Sequence, residues 1–355
     1  MRSAVSTAAP IHVPLPDATA EHQARRRLDE LVKPVGSLGR LEELAAWLCG
    51  AHGTVPPRPL DDVRVVVFAG DHGVSRTAPG SPGVSAYPRE ITAAMVRVFC
   101  AGTSGVTVLA REVGARVRVL DVAVDAELDD VPREVVARKV RRGSGSVDVE
   151  DALAPGEAER AFSVGRAVAD EEIDAGACVL VPGDMGIGNS TVAAALTGAS
   201  LGLPAREVVG TGTGVDEPGR AHKVAVVDRA LRRAGDRVGD PFDRLTALGS
   251  ACAAATAGFL VQAAVRSTPV VLDGVFSVAA ALVARDIAPG AARWWLAGHA
   301  STEPAQRLGL ASLGLEPILD LRLRLGEGSG AVQAVPVLRA ARAVLAGMST
   351  LAEAT

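Results

Sequence analysis

Aromatic residues make up only 3% of this 355-residue chain, although 48% of it is hydrophobic. A core short of rings must be built from Ala, Val and Leu, which favours helices packed closely on a buried parallel sheet. There is no basic excess either: the formal net charge is −4, which leaves no overall electrostatic footprint for nucleic acid. The small basic clusters Arg25-Arg26-Arg27, Arg138-Lys139 and Arg141-Arg142 read as solvated faces. The four cysteines, Cys49, Cys100, Cys178 and Cys252, lie far apart without a C-x-x-C. They are expected to be reduced core residues of a cytosolic protein. No uninterrupted apolar run reaches membrane-spanning length, and the first residues contain no apolar h-region. The expectation is a soluble, cytoplasmic protein with no integral membrane segment.

What is present is an alternation. Helical spacing of apolar residues runs from Ala18 to Val32 and from Leu38 to Ala51. Strand-like runs then recur at Val63–Phe68, at Val106–Leu109 or Val117–Val122, at Cys178–Val181, at Val270–Leu272 and at Trp294–Ala297, separated by helical stretches. Such alternation predicts parallel β-α units. Each trusted strand is followed by a polar or glycine-rich loop: Gly70-Asp71-His72-Gly73, Gly183-Asp184, Asp273-Gly274 and Gly298-His299-Ala300-Ser301. In an open parallel sheet ligands lie beyond the carboxyl ends of the strands, so these loops should converge on one crevice. Asp and Gly also end strands in proteins that bind nothing there.

One loop carries most of the chemistry. Gly183-Asp184-Met185-Gly186-Ile187-Gly188-Asn189-Ser190-Thr191 joins a strand to a helix start, the arrangement of a phosphate cradle. Set against the P-loop pattern G-x-x-x-x-G-K-[ST], it matches except that Asn189 stands in the lysine position, which argues against a triphosphate with magnesium. It also lacks the third glycine of G-x-G-x-x-G. A single phosphate on a nucleotide or sugar fits, and a glycine-rich turn without ligand is the plain alternative. Lys223, beyond Gly210–Asp216, could supply the missing cation from another segment. Glu327, held between glycines in Leu325-Gly326-Glu327-Gly328, is the candidate general base, because apolar surroundings would raise its proton affinity. A surface Glu in a glycine turn is the other reading. His72, His222 and His299 show no metal-ligand spacing, and no Ser-His-Asp order supports a hydrolase.

Several long motifs in one order carry a resemblance. They are Lys33-Pro34-Val35-Gly36-Ser37-Leu38-Gly39-Arg40-Leu41-Glu42, Phe68 to Val74, the Gly183 to Thr191 loop, Asp216 through His222-Lys223, Pro269 to Gly274, Glu303-Pro304, and Leu325 to Ala331. By these the chain resembles the nicotinate-nucleotide:dimethylbenzimidazole phosphoribosyltransferase family of cobalamin biosynthesis, over nearly its whole length. The resemblance implies transfer of the phosphoribosyl group of nicotinate mononucleotide to 5,6-dimethylbenzimidazole or a related base, giving α-ribazole 5′-phosphate and nicotinate, with no cofactor and no metal. It implies a doubly wound, mainly parallel α/β fold with a smaller helical unit made from both chain ends: residues 1–35 and 299–355 around an α/β domain at 36–298. It implies a homodimer.

Carried across motif by motif, Glu327 becomes the base, and Asp184 becomes a second catalytic carboxylate in a loop position where some relatives have Glu. Gly186, Ile187, Gly188, Asn189, Lys223, Asp273 and Ser301 become phosphate and ribose contacts. Tyr87, Met95, Met185 and Leu325 become the lining of an apolar base pocket, with Met95 equally readable as core in the stripe Ile91, Met95, Val98 and Phe99. The chain departs from the family at Ser250-Ala251-Cys252, where an aromatic and an acid are usual, and at Gln306, where a histidine is usual. A non-catalytic nucleotide-binding or nucleotide-sensing homologue is the alternative function. A small-molecule kinase is disfavoured by the missing P-loop lysine.

Overall fold

A computed structural model describes residues 11–76 and 83–354. Six strands, β1 (Val63–Gly70), β2 (Arg116–Ala123), β3 (Val179–Met185), β4 (Val270–Leu272), β5 (Trp295–His299) and β6 (Pro317–Leu319), form one parallel sheet in the order β2-β1-β3-β4-β5-β6. Along β1 the side chains alternate: Val63, Val65, Val67 and Ala69 enter one core cluster, while Val66 and Phe68 enter the other. A strand buried on both faces reads as a continuous apolar run, and this one does from Val65 to Ala69, while Arg64 near its start is half-buried and paired with Asp62 and Glu172. Helices Glu157–Asp174, Asn189–Leu201, Ala251–Val265 and Val275–Ile287 cover one face. Helices Ala18–Glu30, Arg40–His52, Gly105–Glu112 and Ser329–Gly347 cover the other. The parallel β-α units expected from the alternation, and the doubly wound sheet that the resemblance implies, are the ones observed.

The shortage of aromatics has its counterpart in how close the helices come. A Cβ on Gly258 would sit 2.0 Å from the Phe162 carbonyl oxygen, and one on Gly165 would sit 1.8 Å from the Ala255 carbonyl oxygen. Helices Glu157–Asp174 and Ala251–Val265 therefore meet backbone to backbone, with small residues filling the seam at interior density. At the chain ends, Leu31 and Thr350 form an antiparallel bridge, and Arg27 Nε donates to the Leu345 carbonyl at 3.2 Å.

Four local points resolve or correct the expectations. Val106–Leu109 is not a strand but part of helix Gly105–Glu112, whose N-cap Ser104 accepts from the Thr107 amide at 3.2 Å; the strand is Arg116–Ala123. The cap and the i, i+4 pair Val106 and Ala110 on the core favour the helix. Strand β6 was not anticipated, being three residues beginning with a proline at the sheet edge. Cys100 is exposed, because it ends helix Ile91–Cys100 off the face that buries Val96 and Phe99; Cys49 and Cys252 are buried, Cys178 is half-buried, and all four are free. Ile91–Glu112 has the length and composition of a membrane span, yet it is two helices interrupted after Cys100.

Strand β1 has β2 on one side and β3 on the other, so the connections leaving β1 and β3 diverge. A crevice at such a switch point, beyond the carboxyl ends of the strands, is where ligands bind in open α/β sheets.

Candidate active site

The loops after the strands converge there. Gly186 follows β3 and lies so close to the end of β1 that a Cβ on it would come 2.1 Å from the Gly70 carbonyl oxygen and 2.8 Å from His72 Nε2. His72 is wholly enclosed, and burial holds its pKa down at about 4. Gln306 ties the next two loops: its Nε2 donates to the carbonyls of Asp273 at 3.0 Å and His299 at 2.8 Å, and its Oε1 accepts from the Ser301 amide at 2.6 Å. The other departure from the family has a structural use as well. Ser250 caps helix Ala251–Val265 through the Ala253 amide at 3.1 Å, and Cys252 Sγ lies against Gly70.

The glycine loop ends in a left-handed residue, Gly188 with φ +96°, and opens helix Asn189–Leu201. Several of its amides are already occupied: Ile187 N–H donates to Thr92 Oγ1 at 3.1 Å, Asn189 N–H to the Gly186 carbonyl at 3.1 Å, Ser190 N–H to Asn189 Oδ1 at 2.7 Å and Thr191 N–H to the Gly188 carbonyl at 3.0 Å. Ile187 is buried, so it shapes the cradle and contributes no open amide. The cation expected from another segment is present. Lys223, on helix Glu217–Ala234 and without exposed surface, donates from Nζ to Ser190 Oγ at 3.0 Å. Burial lowers its pKa, and the charge of Glu303 works against that. Glu303 in turn accepts the Gly212 amide at 2.8 Å. A Cβ on Gly212 would lie 2.5 Å from Ser190 Oγ and 2.7 Å from Lys223 Nζ, so the glycine lets this loop close on the cradle.

Glu327 sits in three successive left-handed residues, with φ of +81° at Gly326, +65° at Glu327 and +96° at Gly328. For a glutamate that conformation costs about 1–3 kcal/mol and persists only where its surroundings over-determine it. Its carboxyl is buried, and Oε2 accepts the Val106 amide at 3.0 Å, at the start of helix Gly105–Glu112. Burial raises its pKa, the Val106 amide opposes this, and the charge of Asp273 adds to the rise. Asp184 is buried beside the turn, its oxygens facing Gly326. Burial pushes its pKa up to about 7 against a hydrogen bond from Asn189, and the charges of Asp273 and Glu327 push the same way. Two carboxyls of heightened proton affinity thus border one crevice, a pattern that suits proton transfer near neutral pH.

Asp273 is brought to the same turn but is fully buried, accepting amides of Gly328, Gly330 and Ala331 at 2.8–3.1 Å. Ser301 is half-buried next to Gln306. Met185 is half-buried at the end of β3, and Met95 is half-buried beside the face that buries Thr92, Val96 and Phe99. Leu325 is 57% exposed and lies over Gly105, near Glu327. Tyr87 is 56% exposed and borders a cavity of about 600 Å³ with Ser75, Arg76 and Arg89, a charged lining where an apolar one was expected. Its segment joins the opposite loop through the Ala86 amide, which donates to Thr213 Oγ1 at 2.9 Å. Among the described residues, no group of three or more His, Cys, Asp or Glu side chains could hold a metal ion.

Four contributors are given no role by the sequence alone. Thr92, Glu303 and Val106 act through contacts across 91 to 221 residues that leave no local signal. Gln306 looked only like a departure.

The phosphoribosyltransferase family profile matches residues 13–355. The nicotinate-nucleotide–dimethylbenzimidazole phosphoribosyltransferase of Mycobacterium avium (strain 104) is 54% identical over 339 residues, covering 96% of this chain and 95% of that protein. That of Mycobacterium tuberculosis (strain ATCC 25618 / H37Rv) is 53% identical over 342 residues, covering 96% and 93%. A crystal structure of the Thermus thermophilus enzyme of the same name superposes with a TM-score of 0.87 at 44% identity, covering 95% of this chain and 98% of that one.

Proposed function

The chain belongs to the nicotinate-nucleotide:dimethylbenzimidazole phosphoribosyltransferase family, and on that premise we propose how it performs the transfer. The reaction moves the phosphoribosyl group of nicotinate mononucleotide to 5,6-dimethylbenzimidazole, releasing nicotinate and forming α-ribazole 5′-phosphate for the lower ligand of cobalamin. The phosphate is held at the cradle by Gly186, Gly188, Lys223 and Ser301. One benzimidazole nitrogen attacks C1′ of the ribose while the bond from C1′ to the nicotinate nitrogen breaks, its electron pair returning to the pyridine ring. In-line attack converts the β-configured substrate into an α-configured product. Glu327 takes the N–H proton from the other benzimidazole nitrogen as positive charge develops on the attacking ring. Asp184, whose pKa of about 7 leaves a large protonated fraction at neutral pH, faces the same space and limits the negative charge gathered there. The transition state is oxocarbenium-like by analogy with glycoside chemistry, and the Glu327 carboxylate also stabilises it.

The observation that carries this reading is a buried glutamate in a strained left-handed turn, its proton affinity raised, at the switch-point crevice of a parallel sheet. The experiment is direct. Purified protein is mixed with nicotinate mononucleotide and dimethylbenzimidazole, without ATP, and nicotinate and the nucleoside phosphate are followed by chromatography. Absence of both products with every benzimidazole or purine offered overturns the reading. The protein working as a homodimer in the cytoplasm belongs to the same proposal, and sedimentation of the purified chain tests the dimer.

A further inference from the structure

Asp273 has no exposed surface, and the hydrogen bonds its carboxylate accepts come from one stretch of backbone. Oδ2 accepts the Gly328 amide at 3.1 Å, and Oδ1 accepts the amides of Gly330 at 2.8 Å and Ala331 at 3.0 Å. These three donors are the backbone that immediately follows Glu327. Behind them stands His299, with Nε2 3.5 Å from Asp273 Oδ1 and Nδ1 3.2 Å from the Ala300 carbonyl. The ring is pressed against the helix start so closely that a Cβ on Gly330 would lie 2.0 Å from its Cδ2. Gln306 holds the Asp273 carbonyl from the other side at 3.0 Å.

We propose that Asp273 is a positioning residue for Glu327: by gripping the Gly328, Gly330 and Ala331 amides it holds the left-handed turn that delivers the Glu327 carboxyl to the crevice, and His299 fixes the orientation of that grip. The inference rests on Glu327 acting as the base. A glutamate in the left-handed region would relax toward ordinary backbone unless something held the residues after it, and an ionised carboxylate accepting several amides is a strong holder. The three amides are also orphan donors at the start of helix Ser329–Gly347, so one side chain both caps the helix and fixes the residue before it. Asp273 thus acts through the turn, both of its carboxylate oxygens being taken by backbone amides.

The test is Asp273→Asn, alone and combined with Glu327→Gln, on the full chain with nicotinate mononucleotide and dimethylbenzimidazole. An asparagine must turn its NH₂ toward one of the amide donors, so at least one of the three hydrogen bonds is lost. The expected result is kcat lower by about 100-fold, the scale of a reacting group displaced by about an ångström, with KM for the mononucleotide within about threefold. In the double variant kcat is expected to equal that of Glu327→Gln, since a residue acting only through Glu327 has nothing left to position. A rise in KM with kcat unchanged, or a double variant slower than Glu327→Gln, overturns the proposal. If Asp273→Asn does not fold, the same cycle with His299→Gln decides: kcat lowered in the Glu327 background and not in the Gln background supports it, and no change in either overturns it. Lack of turnover by the unaltered protein would instead count against the transferase reading.

Discussion

Glu327 Oε2 lies 3.0 Å from the backbone nitrogen of Val106, which places the carboxylate of the turn at the positive end of helix Gly105–Glu112. The amide orients one oxygen and leaves the other for the incoming base. Glu327→Gln retains an oxygen that accepts the Val106 amide, so the turn and the fold should persist while the base is lost. Turnover is expected to fall by about 10²–10⁴-fold, with mononucleotide affinity nearly unchanged. Steady-state kinetics beside calorimetric titration checks this, and equal rates in variant and wild type would remove Glu327 from its role.

Lys223 carries the positive charge that the loop's own sequence omits. Its Nζ has Ser190 Oγ at 3.0 Å and the Glu303 charge nearby. Lys223→Met keeps most of the buried volume and deletes the charge. KM for nicotinate mononucleotide should rise by about 10–100-fold, the equivalent of about 1.5–3 kcal/mol for a hydrogen bond to a charged group, while kcat changes by a few-fold at most. An unchanged KM would mean that the phosphate lies elsewhere.

Gly258 offers a test of the packing that replaces aromatic residues. In an exposed helix Gly→Ala is stabilising by about 0.5–1 kcal/mol. Here the added methyl would stand 2.0 Å from the Phe162 carbonyl oxygen, and rigid backbone must move to admit it. Gly258→Ala should therefore destabilise, by about 1–3 kcal/mol or more, as overpacked cores do. Chemical denaturation reads the sign directly, and a more stable variant would refute the close approach of the two helices.

What could be read in the residues follows their physics. Val63 to Phe68 and Cys178 to Val181 were legible because strands buried on both faces are nearly all apolar, Arg64 near one end being the exception, and the loops after them were legible because the switch point gathers strand ends. Glu327 stood out by its glycine neighbours, although a surface turn was equally open from the sequence, and the left-handed backbone came only with the structure. Pro317–Leu319 was not legible, since a three-residue edge strand has no period to detect. The supports of the site were not legible either: Thr92 meets Ile187 across 95 residues and Glu303 meets Gly212 across 91, pairings that only the assembled sheet creates. Gln306 looked like a missing histidine, yet its amide group bridges two strand ends with three hydrogen bonds.

Asp184 supplies a prediction about pH. Its pKa is near 3.8 when unfolded and about 7 in the folded chain, raised chiefly by burial. Below pH 4 both states hold the proton, and the group contributes nothing to the dependence. Between pH 4 and 7 the unfolded chain releases the proton while the folded one keeps it, so this group makes stability fall as pH rises; above 7 the full cost of a buried charge is reached. Asp184→Asn removes that titration, and its oxygen can still accept the hydrogen bond from Asn189. Groups away from this cluster titrate alike in variant and wild type, so the difference in unfolding free energy reports Asp184 together with its coupling to the carboxyls beside it. The variant's advantage should widen from pH 5 to pH 8, at up to about 1.4 kcal/mol per pH unit where the two states differ by a whole proton. Urea unfolding of both proteins across that range measures it, and a difference independent of pH would show that Asp184 ionises in the folded chain as it does in water.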